Sequence, residues 1–140
     1  MKSKKLFFLI DDDEDDQEIF SLAVKHADDS CECVCTDDCV DAIKKFAADI
    51  SFMPHVIFID MNMPRINGLE CLREVRKSVH HKETPIYIYT TSSDEKIKQQ
   101  SIEMGATGLI KKPSSLNDLV NLIAEVIDNP HSFAASVNGY

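Results

Sequence analysis

The feature that most restricts this chain is an alternation of two hydrophobic patterns. Short apolar runs at 6–10, 31–36, 56–60, 86–90 and 108–111 are rich in Ile, Val, Phe and Tyr, which suit a pleated backbone. Between them apolar residues recur at helical spacing. Ile19, Phe20, Ala23, Val24 and Ala27 form one stripe, and Val40, Ile43, Phe46 and Ala47 a second. Leu69, Leu72, Val75 and Val79 form a third, and Leu116, Leu119, Val120, Ile123, Val126 and Ile127 the cleanest. Such stripes are core-facing sides of amphipathic helices. Several of the short runs show little polar alternation, as expected of central parallel strands covered on both faces. Strand and helix alternating five times therefore predict an α/β fold, a parallel sheet with right-handed crossovers and helices on both faces. The stretch 93–104 is mostly polar, with Ile97, Ile102 and Met104 as its large apolar residues, and predicts a loosely held helix. Ser93-Asp94 and Ser114-Ser115 are candidate N-caps, Pro54 and Pro85 precede the third and fourth strands, and Asn67-Gly68 marks a turn before the third helix.

With 140 residues, 44% of them apolar, the chain suits one domain with a sizeable core. We expect that domain over 1–128 and a short frayed tail over 129–140. The net charge of −9 argues against a nucleic-acid or anionic-lipid partner and suits a cation or a basic patch on a protein. No apolar stretch is long enough for a membrane span. The start is basic, but its apolar run 6–10 is too short for a signal peptide and leads into Asp11, so a cytoplasmic location is expected. Cys31, Cys33, Cys35, Cys39 and Cys71 are expected to be free thiols. Their spacing lacks the paired halves of common zinc modules, and the first three read as small apolar residues on one face of a strand.

In open parallel sheets, sites lie beyond the carboxyl ends of the strands. The first run ends in Asp11-Asp12, the third in Asp60, the fourth in Thr90-Thr91 and the fifth in Lys111-Lys112-Pro113, with Thr36-Asp37-Asp38 off to one side. Carboxylates gathered in one cleft raise one another's pKa unless something compensates. Mg²⁺, a hard cation that takes carboxylate oxygens and keeps several waters, would do so. Such a cluster with spare coordination sites is a plausible phosphoryl-transfer centre, in which Lys and Thr bind the remaining phosphoryl oxygens. Six consecutive acids occupy 11–16. Glu14, Asp15 and Asp16 are assigned to the start of a helix, where negative charge suits its dipole; Asp13 is left open.

The segments 6–13, 56–64 with Gly68, Tyr89-Thr90 and Lys112-Pro113, in this order and each at a strand end, together resemble the receiver domain of two-component response regulators. The resemblance covers about 6–128, by the spacing of the elements. It implies a doubly wound, flavodoxin-like fold of five strands in order 2-1-3-4-5 with five helices. It implies that Asp60 accepts a phosphoryl group from a sensor histidine kinase or phosphotransfer protein, with Lys112 and Thr90 assisting. Mg²⁺ would be held by Asp12, Asp60 and the main-chain carbonyl of Asn62, with Asp11 acting through water. The Lys112-Pro113 bond would be cis. Catalysis would be confined to the protein's own phosphorylation and dephosphorylation, and Asn62 and Ser92 would tune the phosphate lifetime. The signal would leave through the fifth strand with the fourth and fifth helices, towards a downstream protein or a phosphorylation-dependent homodimer. Leu109 stands where the family often has an aromatic switch residue; Tyr89 reads as core. The acidic stretch and the tail resemble a subgroup of lone receivers, some paired with phytochrome-type kinases. The alternatives are an aspartyl-nucleophile phosphatase, which the amide of Asn62 in the general-acid position disfavours; a flavodoxin-like cofactor binder, which the acids after the first strand disfavour; and a degenerate receiver acting only by binding protein. His80 and His81 are expected to close the third helix, His55 to be exposed, and Met61 and Met63 to fill gaps beside the acceptor loop.

Overall fold

Ten elements alternate along the chain: β1 (Leu6–Ile10), α1 (Glu14–Ala27), β2 (Glu32–Thr36), α2 (Cys39–Ala48), β3 (Val56–Asp60), α3 (Gly68–Ser78), β4 (Ile86–Thr90), α4 (Glu95–Glu103), β5 (Gly108–Lys111) and α5 (Leu116–Asp128). The computed structural model describes residues 5–92 and 94–131; the basic start over 1–4, the cap assigned to Ser93 and the tail over 132–140 lie outside them. The strands form one parallel sheet in the order β2-β1-β3-β4-β5. Registers that pair Ile10 with Thr36 and Ile59, Asp60 with Tyr89, and Thr90 with Lys111 bring the carboxyl ends of the strands nearly level.

Alternate strand residues feed two cores. Phe8, Ile10, Ile57, Ile59, Ile86, Ile88 and Leu109 pack with Phe46 of α2 and with Leu72 and Val75 of α3. Phe7, Leu9, Phe58, Tyr87, Tyr89 and Ile110 pack with Phe20 of α1 and with Leu119, Ile123 and Val126 of α5. The two-faced coverage explains why the central strands read as continuous apolar runs. The edge strand β2 is buried only at Thr36.

At the start of every helix a side chain satisfies one of the free N–H groups, each cap contributing about 1 kcal/mol. Asp13 accepts from Asp16 N, Asp38 from Asp41 N, Asp94 from Lys96 N and Ser115 from Asp118 N. Asn67 and Glu70 form a reciprocal capping box on α3. Within α4 only Ser101 is buried, as its polar composition predicts. Its carboxyl end is tied to α3 by Arg76, whose Nε and Nη2 donate to Gly105 O at 3.0 and 2.7 Å. The Tyr87 hydroxyl donates to Pro130 O, so the segment after α5 starts out anchored to the sheet.

Several expectations are corrected. Cys39 and Cys71 are not free: they form a disulfide between α2 and α3, with Cα atoms 5.6 Å apart. The two helices are neighbours on one face of the sheet, which brings together residues 32 apart in sequence. Cys31, Cys33 and Cys35 are free and pack beneath α1 and α5, as small apolar residues would. His80 lies beyond the end of α3, and its Nε2 is 2.9 Å from Phe46 O of α2. His55 is half-buried, because β3 begins in the sheet interior. Among the described residues, no helix is long and apolar enough to cross a membrane.

Candidate functional site

The carboxyl ends of β1 and β3 are adjacent, so Asp11, Asp12 and Asp60 meet although they come from distant parts of the chain. One carboxylate oxygen from each lies within 4.8 Å of the other two. Asp11 is fully buried and Asp60 is 5% exposed, whereas Asp12 faces solvent. The main chain fixes them: Asp11 N donates to Thr36 O at 3.0 Å, and Met61 N to Tyr89 O at 3.1 Å. Asp11 Oδ1 accepts from Asp13 N at 3.0 Å and Asp60 Oδ1 from Asn62 N at 3.4 Å.

Burial pushes the Asp11 carboxyl up to about 6, against the opposing pull of the Asp13 N–H and Lys112. Burial likewise raises Asp60, and Lys112 again opposes the shift. The lysine reaches in from the end of β5. Its Nζ lies 2.7 Å from Asp16 Oδ2, 3.3 Å from Asp11 Oδ2 and 3.3 Å from Asp60 Oδ1, and 5.2 Å from the centre of the Tyr89 ring. Burial works against its charge, but the hydrogen bond to Asp16 and the charges of Asp11 and Asp60 outweigh it and hold the ammonium above its ordinary range.

Three oxygen donors and an open cleft of about 460 Å³, lined by Asp12, Asp60, Asn62, Thr91 and Lys112 among others, fit a hard divalent cation with room for waters.

The structure gathers Asp11, Asp12, Asp60 and Lys112 as the sequence predicts, with three differences. Thr90 ends β4 and is 2% exposed, but its Oγ1 accepts from Ser92 N at 3.2 Å, and it is Thr91 that lines the cleft. All peptide bonds among the described residues are trans, so the expected cis bond at Lys112-Pro113 is absent. The trans form is the lower-energy isomer of an X–Pro bond by about 0.5–1 kcal/mol. The lysine is oriented instead by its N–H, 2.6 Å from Thr90 O, and by the surrounding carboxylates. Finally, Asp16, assigned to the helix dipole alone, reaches into the site. One signal marked it: Asp16 precedes Phe20 by one helical turn, and Phe20 begins the buried stripe of α1.

The raised Asp11 pKa has two measurable consequences. Protonation competes with the metal, so Mg²⁺ affinity should fall about tenfold or more between pH 7.5 and pH 5. Without metal, the folded state binds the Asp11 proton more tightly than the unfolded chain between pH 3.8 and about 6. That contribution is fully present at low pH and is lost as pH rises through this window. It amounts to about 2–3 kcal/mol. Asp11→Asn should remove this pH dependence, which thermal denaturation at pH 5 and 7.5 without Mg²⁺ would show.

The sheet order and the acidic pocket at its carboxyl edge define a flavodoxin-like domain with a carboxylate cluster that could bind a metal ion. Residues 7–124 match the response regulator receiver domain model, and the chain belongs to that family. The transcriptional regulatory protein YdfI of Bacillus subtilis is 31% identical over 74 residues, covering 53% of this chain and 33% of YdfI. The response regulator ArlR of Staphylococcus aureus is 34% identical over 85 residues, covering 60% of this chain and 37% of ArlR. The chain thus matches about a third of the length of these relatives. Among solved structures, the chemotaxis protein CheY4 of Vibrio cholerae is similar at a TM-score of 0.76 and 27% identity, over 89% of this chain and 99% of that one.

Proposed function

We propose that this receiver accepts a phosphoryl group on Asp60 from a histidine kinase or phosphotransfer protein, in a Mg²⁺-dependent reaction. The observation that carries this reading is the position of Asp60: the end of β3, beside Asp11 and Asp12, with Lys112 Nζ 3.3 Å from its Oδ1. An Asp60 carboxylate oxygen attacks the phosphorus, a P–O bond forms, and the bond from phosphorus to the donor's nitrogen breaks, leaving the electron pair on that nitrogen. Asp12 and Asp60 would hold Mg²⁺ with the Asn62 carbonyl, and Asp11 would act through a water. Bound there, the ion neutralises phosphoryl oxygens. Lys112 pairs with a phosphoryl oxygen once Asp60 has become an acyl phosphate and its own carboxylate charge is gone. Thr90 or its neighbour Thr91 supplies a hydroxyl to another.

The protein would act as a switch and not as a turnover enzyme, and a cytoplasmic location would suit its donor. The loosely packed α4, with β5 and α5, is the surface best able to change. A downstream protein or a second copy would read it there. The test is incubation with acetyl phosphate and Mg²⁺, followed by intact mass. One added phosphoryl group, absent when EDTA replaces Mg²⁺, is expected; an unchanged mass with Mg²⁺ would overturn the reading.

A further inference from the structure

We propose that Asp16 is a positioning residue that makes the tightest contact with Lys112 and shares it with Asp60, so that an incoming phosphoryl group must draw the lysine from Asp16. This rests on Asp60 being the acceptor. Of the three acids around Lys112 Nζ, Asp16 makes the only contact of ordinary charge-assisted length, 2.7 Å against 3.3 Å for Asp11 and for Asp60. The shorter contact is to the most accessible of the three: the Asp16 side chain is 37% exposed, that of Asp60 7% and that of Asp11 0%. An ammonium between a water-accessible carboxylate and two buried ones feels the stronger attraction per unit distance from the buried charges, where the dielectric is lower. It sits nearest Asp16 because the first turn of α1 sets that side chain at the cleft.

The placement starts from the cap. Asp13 Oδ1 accepts from Asp16 N at 3.1 Å, which fixes the backbone of the first turn. Phe20, one turn later and fully buried, turns this face of α1 inward. Asp16 thus lines the same cleft as Asp60 and Asn62. Asp15, its neighbour, is exposed and on another face.

A fixed carboxylate here has two effects on an anion entering the cleft. It repels the anion, and it occupies the cation that should receive it. Losing Asp16 should therefore strengthen anion binding, and by more than the loss of one negative charge from the surface would. Phosphoryl transfer reverses the balance, because the phosphoryl oxygens carry more charge than the Asp60 carboxylate they replace and can draw Lys112 across.

The experiment compares Asp16→Asn, Asp16→Glu and Asp15→Asn with the unaltered chain at saturating Mg²⁺. Beryllofluoride, a phosphoryl mimic, is titrated by calorimetry. Asp16→Asn should tighten beryllofluoride about tenfold and lower the half-saturating acetyl phosphate concentration in parallel. Asp15→Asn removes the same charge and should change either by less than about twofold. Asp16→Glu, which can still reach the lysine, should stay close to the unaltered chain. A second readout needs neither metal nor phosphodonor: trace acetylation of amines by acetic anhydride, with Lys112 quantified by peptide mass, should speed up in Asp16→Asn alone. Equal shifts in Asp16→Asn and Asp15→Asn, or faster labelling of Lys112 without tighter beryllofluoride, would overturn the role of Asp16. Failure of the unaltered chain to bind beryllofluoride would instead overturn Asp60 as acceptor.

Discussion

Asp60→Asn should take up no phosphoryl group from acetyl phosphate under conditions that convert the unaltered chain, an expected loss of at least about a thousandfold in rate. The amide has the shape of the carboxylate, but its oxygen is a poor nucleophile and its nitrogen none. The same variant should be more stable without metal. Burial raises the pKa of Asp60, so at neutral pH the ionised group opposes folding, and that opposition weakens as pH falls towards its raised pKa. Asn removes it, while Lys112 keeps Asp16 and Asp11 as partners. A rise of a few degrees in Tm at pH 7.5, together with a weaker response to Mg²⁺, is expected. Activity and stability thus move in opposite directions, which no unfolding artefact reproduces. Retained uptake in Asp60→Asn would mean that another carboxylate takes the phosphoryl group, Asp11 and Asp12 being nearest.

The strands were legible as short runs rich in strand-favouring residues. Four of them, Leu6–Ile10, Val56–Asp60, Ile86–Thr90 and Gly108–Lys111, coincide with the runs at 6–10, 56–60, 86–90 and 108–111. β2 starts at Glu32, one residue inside its run, as an exposed edge permits. Once the strands are parallel and β1 lies beside β3, the convergence of Asp11, Asp12 and Asp60 follows from topology alone. Lys112 follows too, because β5 ends one residue before it. Tyr89 is core as expected, packed on Phe20 and Phe58, and Leu109 is buried on the opposite face of the sheet. What periodicity could not supply depends on the phase of a helix or the turn of a side chain. Asp16 points inward because of how α1 rolls on the sheet. The Thr90 hydroxyl turns to Ser92 N because the β4–α4 loop offers it a donor. Cys39 meets Cys71 because α2 and α3 pack side by side, and no spacing along the chain encodes that distance.

Gly68→Ala should be the most damaging single-methyl change near the site, costing about 3 kcal/mol and lowering Tm by roughly 10 °C. A Cβ on Gly68 would lie 2.6 Å from Asp60 O and 2.7 Å from Met61 Cα. Both are main-chain atoms of the strand end and loop that present the acceptor, so no side chain can swing aside to make room. The approach is closed further by Gly68 N, which donates to Met61 O at 2.9 Å, and by the capping box that fixes Asn67 and Glu70 at the start of α3. Relief must come from α3 backing off or from the 60–62 segment shifting, and the second would also misplace the cation ligands proposed there. Mg²⁺ affinity should therefore fall along with stability. Gly105→Ala is the informative contrast. Its φ of +107° is unfavourable for alanine, but the nearest atoms to the added Cβ belong to the Arg76 side chain, the first at 3.2 Å. A cost of about 1–2 kcal/mol with unchanged Mg²⁺ binding is expected there. Denaturant unfolding and Mg²⁺ titration of the two variants would separate the cases. Equal losses of Mg²⁺ affinity would show that the metal site senses global stability and not the contact between Gly68 and the acceptor loop.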